Sequence, residues 1–116
     1  PFLVIEEAPI FPGCTGNREA LKNCFAERIS AFVKRKFDPS IASDIGLAQG
    51  SLQKIFVLFT VDSKGNVVGI RARAPHKMLQ KEAVRVVSSL PQMVPGKQRG
   101  KPVRVKYALP IAFKVE

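Results

Sequence analysis

Alternation governs the last part of the chain. Over residues 103–115 every second position is apolar or aromatic: Val103, Val105, Tyr107, Leu109, Ile111, Phe113 and Val115. A period of two predicts a long strand with one buried face. Pro110 falls inside the run, and proline cannot donate to a sheet ladder, so this strand is expected at a sheet edge. An edge of that length is a template for another chain unless it is guarded.

Upstream the periods change. Residues 17–37 put Leu21, Phe25, Ile29, Phe32 and Val33 on one helical face, with Asn17 or Thr15 as the N-cap. The connection that follows is punctuated by Pro39, Gly46 and Gly50 and leaves room for one helical turn near Ile41 to Ile45. Residues 54–62 then alternate Ile55, Val57, Phe59 and Val61 against Phe56, Leu58 and Thr60. With both faces largely apolar, this reads as a central strand. Gly65 supplies the positive φ of a hairpin turn, and the returning strand is expected to point Val68, Ile70, Ala72 and Ala74 inward and Arg71 and Arg73 outward. After Pro75, Leu79, Ala83, Val86, Val87 and Leu90 form an amphipathic helical stripe that Pro91 terminates. A loop over residues 92–102 leads to the final strand.

The order helix, hairpin, helix, strand predicts an α+β fold, a three-stranded antiparallel sheet with two helices packed on one face. The hairpin return would take one side of the central strand and the last strand the other. Residues 1–16 are expected as an extended lead-in and residues 17–116 as a single domain. Within the lead-in, Phe2 to Ile5 read as an additional strand, as cover for the sheet face bearing Phe56 and Leu58, or as a loose segment.

Composition narrows the class. The 116 residues carry 46% hydrophobic and 24% charged side chains, ordinary for a folded globular chain, and no apolar run reaches the roughly 20 residues a membrane-spanning helix needs. The chain opens at Pro1 with no leader-like segment, so a processed piece of a longer protein is the expectation. Lys and Arg outnumber Asp and Glu by 19 to 9, a net charge of +10, which favours polyanionic or acidic partners. The two cysteines, Cys14 and Cys24, lack the company a zinc site requires. Their spacing alone is compatible with a short-loop disulfide or with two reduced thiols.

Candidate chemistry is sparse. The stretch "GKQRGK" has three residues between its glycines where a phosphate-binding loop needs four, and Pro102 follows where Ser or Thr is required. His76 is the single histidine, and neither a metalloprotease motif nor a nucleophile elbow is present, so no catalytic, metal or cofactor site is expected. A nucleic-acid interface is the alternative reading: Arg71, Arg73, Arg104, Lys106 and Lys114 fall on outward positions and Phe56 offers a stacking ring. The aromatic consensus of RNA-recognition folds and the GxxG loop of KH domains are absent.

Two groups of residues carry a resemblance. Gly50, Ile55, Val57, Phe59, Val61, Gly65 and Val67 form the first, and Glu82, Ala83, Arg85, Pro95, Gly96, Lys97, Gly100, Lys101, Pro102 and Val103 the second. With the closing Leu109-Pro110-Ile111 and Phe113 and the opening "FPGC", they resemble the C-terminal domain of TonB, the periplasmic energy transducer. Met93 and Val94 stand where many members carry an aromatic, and Phe37-Asp38-Pro39 is one residue longer than the usual Tyr-Pro.

The resemblance implies a periplasmic domain of a protein anchored in the inner membrane and driven there by a proton-powered motor through a region outside this chain. It implies capture of an N-terminal segment of an outer-membrane receptor as an added strand along Val103, Arg104, Val105, Lys106, Tyr107, Ala108 and Leu109. No nucleic-acid partner is implied, and pairing of the same edge with a second copy would give a homodimer. An oxidising compartment favours a Cys14–Cys24 disulfide. The charge of +10 favours a receptor segment flanked by acidic residues.

Overall fold

The computed structural model describes residues 7–116, so Phe2 to Ile5 lie outside the described residues. Its elements are α1 (Arg18–Lys36), α2 (Ser40–Asp44), β1 (Leu52–Val61), β2 (Val67–Arg73), α3 (Lys77–Ser88), β3 (Lys97–Gln98), β4 (Lys101–Pro102) and β5 (Val105–Lys114).

α1 starts where the Asn17 side chain accepts a hydrogen bond from the Ala20 amide at 2.9 Å. Lys34, Arg35 and Lys36 in its last turn complement the helix dipole. It ends at Phe37, whose extended backbone and amide bond to the Val33 carbonyl precede Pro39. α3 is capped by His76, whose Nδ1 accepts from the Met78 amide at 3.0 Å. The lone histidine thus has a structural task at a helix start.

β1 and β2 join through a turn organised by Asp62. Its carboxylate accepts from the Lys64 and Asn66 amides, each at 2.9 Å, and these bonds hold its pKa below the usual carboxylate value, the Asn66 bond most strongly. Gly65 takes φ +86 there, and its carbonyl accepts from the Met93 amide at 2.9 Å. A Cβ at Gly65 would collide with the Met93 carbonyl oxygen, so the turn and the loop after α3 can touch only through glycine.

The main sheet is antiparallel with strand order β2-β1-β5, so β5 is an edge. α1, α2 and α3 contribute Phe25, Ile29, Val33, Ala42, Leu79, Ala83, Val86 and Val87 to a single core with Ile55, Val57, Phe59 and Val61 of β1. Tyr107 of β5 sits between rings of helix and strand, 5.1 Å from Phe25 and 5.6 Å from Phe59. The fold is α+β with the helices on one face of the sheet.

The central place expected for β1 holds. Among the described residues, the face of Ile55, Val57, Phe59 and Val61 packs into the core, while Phe56 remains 57% and Leu58 45% exposed. Two sequence expectations change. In β2, Val67 rather than Val68 turns to the core. The register shifts by one between Leu58↔Arg71 and Thr60↔Val68, at Gly69 with φ +61, and this bulge reverses the side-chain alternation of everything before it. Finally, the last strand begins at Val105. Residues 97–102 are taken up by the small hairpin of β3 and β4, whose turn residues Arg99 and Gly100 both have positive φ.

The lead-in joins the body through antiparallel bridges Glu7↔Lys97 and Ile10↔Val94. Ala8, Phe11 and Cys14 are buried. A disulfide links Cys14 to Cys24 across a separation of ten residues.

Candidate functional site

Among the described residues, β5 pairs with β1 on one side only. Which of its groups point outward follows from the end of the strand. The Val115 amide donates to the Ser51 carbonyl at 2.9 Å, and its carbonyl accepts from the Gly50 amide. Amides and carbonyls alternate sides along a strand, so the odd residues from Val105 to Phe113 also bond toward β1. Lys106, Ala108, Pro110, Ala112 and Lys114 present their main-chain groups to the open side. Proline therefore sits at a position whose missing N–H takes nothing from the ladder.

A groove of about 530 Å³ runs beside this edge, between β5 and the end of α1. Val33, Phe37, Leu109, Ile111 and Phe113 make it apolar, and Lys34 and Lys114 stand at it with Glu116. Phe37 and Phe113 pack with ring centroids 5.3 Å apart.

The wall that Phe37 and Pro39 form is fixed from α3. Glu82, buried, accepts two hydrogen bonds from the Arg85 guanidinium at 2.7 Å each and one from the Asp38 amide at 2.8 Å. Arg85 also donates to the Lys36 carbonyl at 3.1 Å. The Arg85 bond, ahead of the Asp38 amide, holds the Glu82 carboxyl below its ordinary pKa against the opposing effect of burial. Asp38 in turn accepts from the Ser40 hydroxyl and amide, which lowers its own pKa. The exit of α1, where a helix leaves unpaired carbonyls, is thus tied down by a charged pair on a neighbouring helix.

Of the residues expected along the partner edge, Val105, Lys106, Tyr107, Ala108 and Leu109 lie in the first half of β5. Val103 and Arg104 precede it, and the Val103 amide is already bonded to the Gly96 carbonyl at 2.9 Å. The open edge extends beyond Leu109 to Lys114, and it is this second half that faces the groove. Sequence reasoning missed the groove because its two walls are more than 70 residues apart in the chain; Phe37, an aromatic just past a helix end, is the signal that could have pointed to it.

The basic residues weighed for nucleic acid divide. Arg71, Arg73, Lys106 and Lys114 share the open sheet face with Phe56, whereas Arg104 lies before β5. Among the described residues, no group of three or more His, Cys, Asp and Glu converges to hold a metal ion. None of the described helices is long and apolar enough to cross a membrane.

A small α+β domain whose three-stranded sheet ends in an edge strand beside a helix-walled groove defines the class. The chain belongs to the family described as Gram-negative bacterial TonB protein C-terminal, whose model matches residues 48–115, more than half of its length. The match spans all three strands of the main sheet and α3. No curated protein matched the chain. The family is one of periplasmic, non-enzymatic interaction domains that engage outer-membrane receptors.

Proposed function

We propose that this domain captures an extended N-terminal segment of an outer-membrane receptor as a fourth strand beside β5 and transmits pull to it. The observation that carries the reading is the open side of β5, where alternate main-chain groups from Lys106 to Lys114 have no strand partner among the described residues, next to an apolar groove. Main-chain bonds would give sequence-tolerant affinity, and alternate side chains of the added strand would enter the groove. The region before this chain would anchor the protein in the inner membrane and couple it to a proton-driven motor. Strands loaded along their axes share the load over several hydrogen bonds, which suits a tug.

Charge supports an acidic flank on the captured segment, because Lys34, Lys106 and Lys114 border the site. It also opposes self-pairing. Two copies joined antiparallel about Pro110 would set each Lys106 opposite a Lys114, and like charges directly opposite destabilise a strand pair.

Titration with a receptor N-terminal peptide, following backbone amides, tests the reading. Perturbation along residues 103–114 and the groove is expected, with affinity falling as salt rises. Perturbation confined to β2 or to the outer surface of α1 would refute it.

A further inference from the structure

Strand capture leaves one face of the sheet without a task. Cross-strand pairing places Leu52, Lys54, Phe56, Leu58 and Thr60 of β1 on the face away from the helices, beside Val68, Arg71 and Arg73 of β2 and the even residues of β5. Leu52, Phe56 and Leu58 are 58%, 57% and 45% exposed, and they lie in one row that Lys54 interrupts. Phe56 lies between Arg73 and Pro110, and Leu58 between Arg71 and Ala108. Five cations, Lys54, Arg71, Arg73, Lys106 and Lys114, occupy this face, and among the described residues of the three strands no carboxylate shares it. Among the described strand residues of this face the one acceptor side chain, Thr60, is buried.

An apolar row edged by donors with nothing to accept from them needs a partner rich in acceptors and able to take up hydrocarbon. A second copy would bring five more cations. A typical protein surface would bring donors as well as acceptors, and this face could not pair the donors. Nucleic acid supplies phosphates, but single-strand binders stack bases on several rings, and here one ring stands between Lys54 and Leu58. Anionic phospholipid meets each demand: phosphodiesters for the cations and an acyl boundary for Leu52, Phe56 and Leu58. A periplasmic domain works between two phospholipid leaflets.

We propose that the open face of the sheet docks on an anionic phospholipid leaflet, with the Leu52-Phe56-Leu58 row entering the interface and the surrounding Lys and Arg side chains taking the headgroup phosphates. The helices and the β5 groove then face away from the lipid.

The test is sedimentation of the 116-residue chain with vesicles of phosphatidylglycerol and phosphatidylethanolamine against vesicles of phosphatidylcholine alone. Retention only by the first is expected, weakening with salt. The Arg71→Glu/Arg73→Glu variant should lose at least about 30-fold in partitioning, since each cation at an anionic surface contributes about fivefold. Phe56→Ser/Leu58→Ser should release the protein at salt concentrations the wild type tolerates. Lys22→Glu/Arg28→Glu on α1, with the same change of net charge, should keep wild-type retention. Amide perturbation of the unmodified chain on phosphatidylglycerol nanodiscs should map to residues 52–58 and 71–73, which holds whether or not a variant folds. The proposal is overturned by absent retention, by an equal loss in the α1 variant, or by perturbation centred on α1. Polyuridylate bound at this face without vesicle retention also overturns it, as do contacts of residues 2–5 or of a second copy on Phe56 and Leu58 in the free protein.

Discussion

Replacing Pro110 by alanine probes the orientation of β5 and the proposed capture together. Pro110 pairs across from Phe56, and its main-chain groups belong to the open side with those of Lys106, Ala108, Ala112 and Lys114. The substitution therefore adds a donor facing outward and changes nothing in the ladder to β1. Free domain stability should fall by about 0.4–1 kcal/mol, because alanine loosens the unfolded chain. If a captured strand spans this position, it gains one backbone hydrogen bond, a net of about 0.5–1.5 kcal/mol, or roughly two- to twelvefold in affinity. Urea unfolding and calorimetric titration with a receptor peptide measure the two effects. The matched substitution Ile111→Pro removes an inward N–H instead and should cost about 1–3 kcal/mol for the orphaned carbonyl on β1, before any loss of packing. Protection from exchange of the newly introduced amide, already present in the free Pro110→Ala domain, would refute the orientation. Unchanged peptide affinity, with Ala108 and Ala112 amides perturbed, would refute the register.

Three further outcomes follow from the packing. Cys24→Ser opens a loop of ten residues and should lower stability by about 2.7 kcal/mol in the chain-entropy treatment, read from urea unfolding of oxidised protein and variant. Glu82 has a folded pKa below its unfolded value, so its stabilisation is present above the unfolded pKa and disappears as pH falls through the folded one. Glu82→Gln should flatten that acid limb of melting temperature against pH, and a limb unchanged in the variant would contradict the assignment. Gly65→Ala must strain a residue at φ +86 and drive a methyl into the Met93 carbonyl; a loss above about 2 kcal/mol in chemical unfolding is expected.

Periodicity revealed the elements because each buries one stripe, and a stripe is a local property. Phe25, Ile29 and Val33 recur at helical spacing, and the odd residues of β5 recur at strand spacing. Pro110, together with the central character of residues 54–62, was enough to place β5 at an edge. The failures share a different cause. The reversal at Gly69 depends on which residue of β1 a bulged residue faces, and a glycine within an alternating run hints at that without locating it. Phe56 and Leu58 state their own hydrophobicity, not what covers them. The start of β5 moved to Val105 because the hairpin at Arg99 and Gly100 consumed the residues before it. The groove joins Val33 and Phe37 to Ile111 and Phe113, and nothing short of the fold brings those together.

The two bridges of the lead-in and the disulfide behind them also determine how a pull on the chain at Glu7 would travel. The first hydrogen-bonded pair it meets is Glu7 with Lys97, and the next is Ile10 with Val94. Beyond these the sulfur link offers a covalent shortcut from Cys14 into the second turn of α1, so the slack of ten residues, Asn17 cap included, is never drawn taut. Strain is delivered to the helix one residue before Phe25, the ring wedged against Tyr107 under the outer strand, and the helix end cannot be unwound like thread from a spool.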